Sequence, residues 1–384
     1  MHRYHRQGLV PAKRHTVLKR SDGSLHYEEL IGNRGFSGPS SLLYHLHMPT
    51  AVQASELIGP VRLEAEPNRD LRNRHFNTSK VACGPSLTLD RAPLLFNSDV
   101  TLSLAKPTAT DSAFSRNGQA DEMVYVAEGK GILESAFGEI AYRQGDYVVV
   151  PRGIVHRFIL GQGPHRYLVF ESPDYVRAPR RYRGEHGQLL EGAPYSERDF
   201  RVPENLRPRD EKGNFDIIVR AHDALTRISL DHHPFDVVGW DGSYYPFAFS
   251  IHDFEPKVGR THLPPPVHQT FEANGIVICS FCPRPYDFDK DAIPAPYAHT
   301  NAMSDEVIFY ASSEFMSRKG VSFGSITLHP DGLPHGPQPG RTEASVGAKW
   351  ADELAVMLDT FQPLQVAKGF LGAEDPDYWK SWSA

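Results

Sequence analysis

The sequence predicts an all-β chain built as two β-barrels. Three observations carry this expectation: short apolar or alternating runs recur along the chain, turn-forming residues separate them, and one twelve-residue pattern occurs twice. Runs such as VTLSLA, EMVYVAEG, GDYVVVP and RYLVFES in the first half, and FDIIVRA, GIVICSF, DEVIFYA and GSITLHP in the second, have strand length. Gly, Pro, Asn and Asp bound them, as in sandwiches and closed barrels. Helical periodicity is scarce; the best helix candidate is residues 345–358, SVGAKWADELAVML, where apolar positions recur at three and four.

The organisation follows in chain order. Residues 1–95 read as an irregular segment wrapping a first barrel at 96–176. Residues 177–213, dense in charge, Pro and Gly, read as a linker, and residues 214–384 as a second barrel. The basic run at 177–183 is followed at once by acids, so it reads as a solvated linker face.

Composition excludes several functions. A chain of 384 residues can bury a sizeable core without staples. Its net charge of -6 comes from acids and bases mixed along the whole length, so no basic face is offered to nucleic acid or to anionic lipid. No run reaches the roughly 20 apolar residues of a spanning helix, and the start MHRYHRQGLVPAKRH lacks a signal's apolar core. A soluble, cytoplasmic protein is expected. Three cysteines, Cys83, Cys279 and Cys282, do not make a disulfide framework, and Cys279 and Cys282 read as buried strand thiols because no second pair completes a zinc site.

The repeat carries the chemistry. Gly145-Asp-Tyr-Val-Val-Val-Pro151-Arg-Gly153-Ile-Val-His156 recurs as Gly324-Ser-Ile-Thr-Leu-His-Pro330-Asp-Gly332-Leu-Pro-His335. Each copy is a strand ending in a tight turn, with Pro setting φ, Gly allowing positive φ, and a histidine aimed inward from the next strand. This pattern resembles the second motif of the cupin superfamily, jelly-roll barrels that commonly bind a divalent metal.

The cupin first motif, His-x-His followed by Glu, is matched in the second half by His299, Asn301 (where the second His would stand) and Glu306. The resemblance thus implies a metal site of His299, Glu306 and His335. Glu306 is expected over Asp305 because it aligns with Glu122 in the first half, although cupin spacing also admits Asp305. Two imidazoles and one carboxylate form a facial triad suited to Fe(II) with open positions, and not to structural zinc. In the first half, Ser115 and Asn117 occupy the histidine positions, leaving Glu122 and His156, so that barrel is expected to be metal-free.

A closer resemblance, from about residue 97 onward, is to homogentisate 1,2-dioxygenases. It rests on Phe235-Asp-Val-Val-Gly-Trp240, His299-x-Asn301-x-Met303-Ser304, Pro334-His335-Gly-Pro337 and the closing Asp377-Tyr-Trp-Lys-Ser-Trp382. It implies oxidative opening of a 1,4-dihydroxylated aromatic ring carrying an acidic side chain, as in tyrosine breakdown. It also implies O2 as co-substrate and a homo-oligomer.

The family's Gly-Trp-His-Gly, whose histidine is the implied base, here reads Trp240-Asp241-Gly242. Asp241 is therefore the replacement candidate, weaker at neutral pH. His329 matches a second active-site histidine of the family, with buttressing of the ligand shell as its alternative role. Tyr244 and Tyr245 are candidate pocket or substrate-binding residues, with ordinary barrel packing as their alternative; Asn301 is a further substrate-binding candidate, and His262 and His268 lie on a Pro-rich loop placed to cap the metal mouth. The competing readings are a metal-dependent cupin isomerase or hydrolase and a non-catalytic bicupin holding a small ligand.

Overall fold

In a computed structural model describing residues 3–67, 70–313 and 315–383, the apolar runs form strands. Among these residues the one α-helix is the five-residue Arg341–Ser345; the other helical pieces are short 3-10 turns. None is long and apolar enough to cross a membrane.

Three sheets lie in layers. The middle one has eight strands, in the order Phe200–Arg201, Phe247–Ser250, Asp146–Val150, Asp121–Glu128, Arg166–Ser172, Thr101–Ala105, Ala92–Phe96, Gln365–Val366. Alternation lets it serve two cores, because successive side chains leave opposite faces of a strand. Val124, Val126, Val148 and Val150 face a seven-stranded sheet and meet Leu133, Phe158 and Ile217 there. Met123, Tyr125, Tyr147 and Phe249 face the other way, meeting Phe271, Ile278, Val307 and Phe309 of a six-stranded sheet. A buried hydrogen bond of 2.8 Å between the hydroxyls of Tyr147 and Ser280 crosses this second contact.

The six-stranded sheet runs Gln269–Ala273, Ile276–Phe281, Ala355–Thr360, Asp305–Tyr310, Ser325–His329, Arg74–Asn77. Its far face carries Ile308, Tyr310 and Met357 and forms the interior of the second barrel.

The domain boundaries expected from sequence need correction. Residues from 214 onward are expected in the second barrel, yet Lys212–Ala221 pairs in parallel with Phe114–Asn117 and Phe247–Ser250 pairs with Asp146–Val150, both in the first. Nor is the segment before residue 96 a mere wrapper: Arg74–Asn77 completes the second barrel's sheet, and Ala54–Pro60 and Ala92–Phe96 complete the first barrel's. The linker at 177–213 is anchored too, burying Tyr182, Leu189, Tyr195 and Phe200 on the shared core. Strand N–H and C=O groups need partners, and the partner is chosen by the exposed edge and not by proximity in sequence.

The helix expected at 345–358 is also overturned. Gly347 takes φ +84, and Ala355–Thr360 becomes a central strand between Ile276–Phe281 and Asp305–Tyr310. A short apolar run is ambiguous in period, and here two open strand edges decide it.

Candidate metal centre

The repeat is structural as well as sequential. Gly145 and Gly324 take φ +88 and +82, and Gly153 and Gly332 take +84 and +80. Left-handed backbone at both ends of each copy is what glycine permits at little cost, and each turn delivers its histidine to a barrel interior. His335 and His299, from distant segments, exchange both backbone hydrogen bonds at 2.8 Å, which fixes the two imidazoles side by side. Their ring centroids are 4.3 Å apart.

Alternation on Asp305–Tyr310 turns the two acids to opposite faces. Val307 and Phe309 face the shared core, so Glu306 faces the barrel interior with Ile308 and Tyr310. Asp305 instead clamps loops, accepting the backbone N–H of Asp331 at 2.8 Å and of Leu364 at 2.7 Å. The first barrel repeats the device: Asp121 accepts from Arg152 N at 2.8 Å and Val176 N at 3.0 Å, leaving Glu122 inside.

Glu306 Oε2 lies 3.5 Å from His335 Nε2 and 3.9 Å from His299 Nε2, and one ligand atom from each of the three lies within 4.8 Å of the others. These separations exceed ordinary hydrogen bonds and suit donors sharing one cation. Both ring nitrogens of His335 are buried without a hydrogen-bond partner. An unpartnered buried imidazole beside an anionic carboxylate fits a divalent metal, the one donor set of this kind among the described residues.

His329 is Glu306's direct cross-strand partner, and its Nδ1 donates to Glu306 Oε1 at 2.7 Å. It is fully buried and stacks on His335, with centroids 4.9 Å apart. Burial, helped by Arg318, lowers its pKa to about 4, so it is neutral and fixes the carboxylate's orientation. The buttressing alternative is the one its contacts support. Glu306 itself is held well below the usual carboxylate range: burial opposes ionisation, but His299, His329 and His335 outweigh it.

The remaining sequence candidates fall elsewhere. Asp241 lies in a four-stranded sheet packed on the first barrel, opposite Arg6 and Leu42, and accepts a hydrogen bond from Tyr4 Oη at 2.9 Å. Tyr244 and Tyr245 are buried in the first barrel's core, donating to the backbone carbonyls of Arg152 and Arg3. Asp241 is corrected from site to scaffold, since its strand Val237–Gly242 pairs with the amino-terminal strands, and for the two tyrosines packing is the alternative their contacts support. Asn301 is half-buried on the loop after His299, outside the lining of the metal-side cavity.

That cavity, about 120 Å³, is lined by His299 and Glu306 together with His262, His268, Phe281, Arg284, Arg318 and Met357. Its placement of the Pro-rich loop agrees with the expectation for His262 and His268. Arg318 and Asp359 escaped sequence reading. Arg318 is buried and donates to the carbonyls of Ser317 and Gly336, with no carboxylate within 4.0 Å among the described residues. Asp359 is Glu306's other cross-strand neighbour, pushed up to about 8 by burial and by the Glu306 charge. Reading AVMLDT as a strand would have placed it on the interior face; Arg318 sits in a loop that carries no such signal.

In the first barrel the corresponding place is filled by a tethered cation. Ser115 pairs with His156 as His299 pairs with His335, and His156 Nε2 lies 3.6 Å from Glu122 Oε2. Arg91 reaches Glu122 Oε1 at 2.6 Å and Glu171 at 3.6 Å. Burial opposes ionisation of Glu122, yet Arg91 and His156 hold it well below the carboxylate range.

Residues 100–251 match the model of the homogentisate 1,2-dioxygenase N-terminal family. A protein of Saccharolobus solfataricus that carries a provisional dioxygenase name is 40% identical over 99% of this chain and 98% of its own length. Homogentisate 1,2-dioxygenases of Rhodopseudomonas palustris (strain BisB5) and Oryza sativa subsp. japonica are 28% and 26% identical over 69% of this chain. The matches span 62% and 59% of those two enzymes. A cupin barrel protein of Leptotrichia buccalis aligns over 79% of this chain and 99% of its own, at 9% identity and a TM-score of 0.35. With a relative 40% identical over nearly its full length and a family match over residues 100–251, the chain belongs to the homogentisate 1,2-dioxygenase-like family of cupins, a family of dioxygenases.

Proposed function

We propose that the protein is an Fe(II)-dependent ring-cleaving dioxygenase acting on homogentisate or a related substituted hydroquinone. The observation that carries this reading is the convergence of His299, Glu306 and His335 beside a cavity with an aromatic and aliphatic wall. Two neutral imidazoles and a carboxylate are the donor set of non-haem Fe(II) oxygenases. When bound, the iron supplies the redox centre at which an electron-rich ring and O2 react.

The chain's own residues do the rest. Phe281, Ile308, Phe315 and Met357 present apolar surface for a ring and exclude water. A cavity of about 120 Å³ has room for on the order of ten water-sized groups, which suits a single-ring acid. Arg318, buried and with no carboxylate partner among the described residues, supports an anionic substituent on the substrate, because a desolvated guanidinium is costly until paired. His329 keeps Glu306 oriented and ionised. The reaction is balanced without an external reductant: both atoms of O2 enter the product, one ring carbon–carbon bond breaks, and the ring supplies the electrons.

The test is anaerobic reconstitution with Fe(II), then O2 uptake with homogentisate, gentisate and simple hydroquinones, with product mass showing the addition of two oxygen atoms. Absence of uptake across that panel, with iron bound at one per chain, overturns the reading. Turnover without O2 on a redox-inert metal would favour a cupin isomerase or hydrolase instead.

A further inference from the structure

Nine histidines among the described residues are buried: His45, His75, His156, His165, His232, His233, His268, His329 and His335. Seven have a hydrogen-bond partner at a ring nitrogen, whether carboxylate, hydroxyl, carbonyl or backbone N–H. The exceptions among the described residues are His335, whose Nε2 lies 3.5 Å from Glu306 Oε2 within the triad, and His268. His268 Nδ1 is buried outright with no partner, and neither ring nitrogen makes a hydrogen bond.

The position of His268 is fixed. It ends the 3-10 turn Pro265–His268, whose prolines restrict the backbone, and the next residue opens strand Gln269–Ala273. Its ring packs on Phe281, with centroids 4.7 Å apart, and lines the same cavity as His299 and Glu306. Nδ1 is sealed from solvent, whereas Nε2 is unpartnered and not sealed, so Nε2 is the ring atom open to a molecule that enters the cavity.

We propose that His268 is a substrate-positioning residue that hydrogen-bonds a ring hydroxyl of the aromatic diol held beside the triad. The inference rests on the substrate class proposed above and names the group that selects within it. A neutral imidazole carries one N–H donor and one lone pair, which matches a hydroxyl, itself donor and acceptor. Burial, with the nearby positive charge of Arg284, holds the ring neutral, with its pKa lowered to about 3. The cavity then divides its polar work: Arg318 suits an anionic substituent, His268 a neutral oxygen.

The test is a binding measurement on protein loaded with Zn(II), which cannot turn over, using calorimetry with homogentisate and with 2-hydroxyphenylacetate, which lacks the second ring hydroxyl. The wild type should prefer the diol by roughly 10–100-fold, the value of one desolvated hydrogen bond. His268→Phe, which keeps an aromatic ring against Phe281, should abolish that preference while leaving metal content at one per chain, and His268→Gln should restore part of it. Unchanged discrimination in His268→Phe overturns the role of His268 and leaves the substrate reading standing. Failure of both compounds to bind the wild type overturns the substrate reading and this inference together.

Discussion

At the scale of single residues, the centre depends on side chains that hold other side chains. His329 touches Glu306 and not the cavity, so replacing it should act through the carboxylate's orientation. His329→Phe is expected to weaken divalent-metal affinity by about 10–100-fold, measured by competition with a chromophoric chelator. Undiminished affinity would make His329 a packing residue. In the first barrel, Arg91 is the cation between Glu122 and Glu171, all three buried. Arg91→Met leaves two buried carboxylates short of charge and should cost about 3–5 kcal/mol in denaturant unfolding. A cost below about 1 kcal/mol would show that Arg220, 3.0 Å from Glu171, suffices to neutralise the pair.

The choice between Asp305 and Glu306 shows how far sequence reached at this scale. The duplicated Asp-Glu before a strand pointed to the second acid, and strand alternation supplies the reason: one acid of the pair must face inward and the other outward. Asp241 shows the opposite. Its alignment with a family base was legible, but the partners of its strand, His5–Gly8 and Ser40–His45, are set by contacts more than 190 residues away in the chain, which no local pattern encodes.

At the scale of elements, the four-stranded sheet on the first barrel is pinned by His45, between Asp236 at 2.7 Å and Glu29 at 3.1 Å. Burial alone would lower the His45 pKa, but the hydrogen bonds to the two carboxylates outweigh it and raise it to about 9. Because the folded value exceeds the unfolded value near ~6.5, the contribution is fully present below that pH. It is lost as pH rises through about 9, and amounts to no more than about 3 kcal/mol. Unfolding free energies at pH 6 and pH 9.5 should therefore differ more for the wild type than for His45→Gln; parallel pH profiles would remove His45 from the account. The Pro-x-Gly turns belong to this scale too. Gly324 has φ +82, and a Cβ there would stand 2.6 Å from Arg166 Nη1 and 2.9 Å from Thr78 Oγ1, so Gly324→Ala is strained by backbone and by space together.

At the scale of the whole molecule, the eight-stranded sheet is shared property, one face in each core. Phe271, fully buried, meets Tyr147, Phe249 and Phe247 across the contact between barrels. Phe271→Ala should cost about 3–5 kcal/mol and lower the stability of both barrels at once, seen as one calorimetric transition moving down in temperature. Two resolved transitions, only one of them shifted, would show that the barrels unfold independently.

What the sequence determined by itself was local: strand length and alternation, the two positive-φ turns, and the spacing that sends His299, Glu306 and His335 toward one point. These are properties of near neighbours, fixed by sterics and by the two-residue period of an extended chain. Only the tertiary structure decided which strands share a sheet, that residues 345–358 hold a strand and not a helix, and that Arg318 and Asp359 come to lie beside Glu306 and its cavity. Those outcomes depend on which edges and apolar faces remain uncovered once the rest of the chain has folded, and that is a property of the assembled molecule.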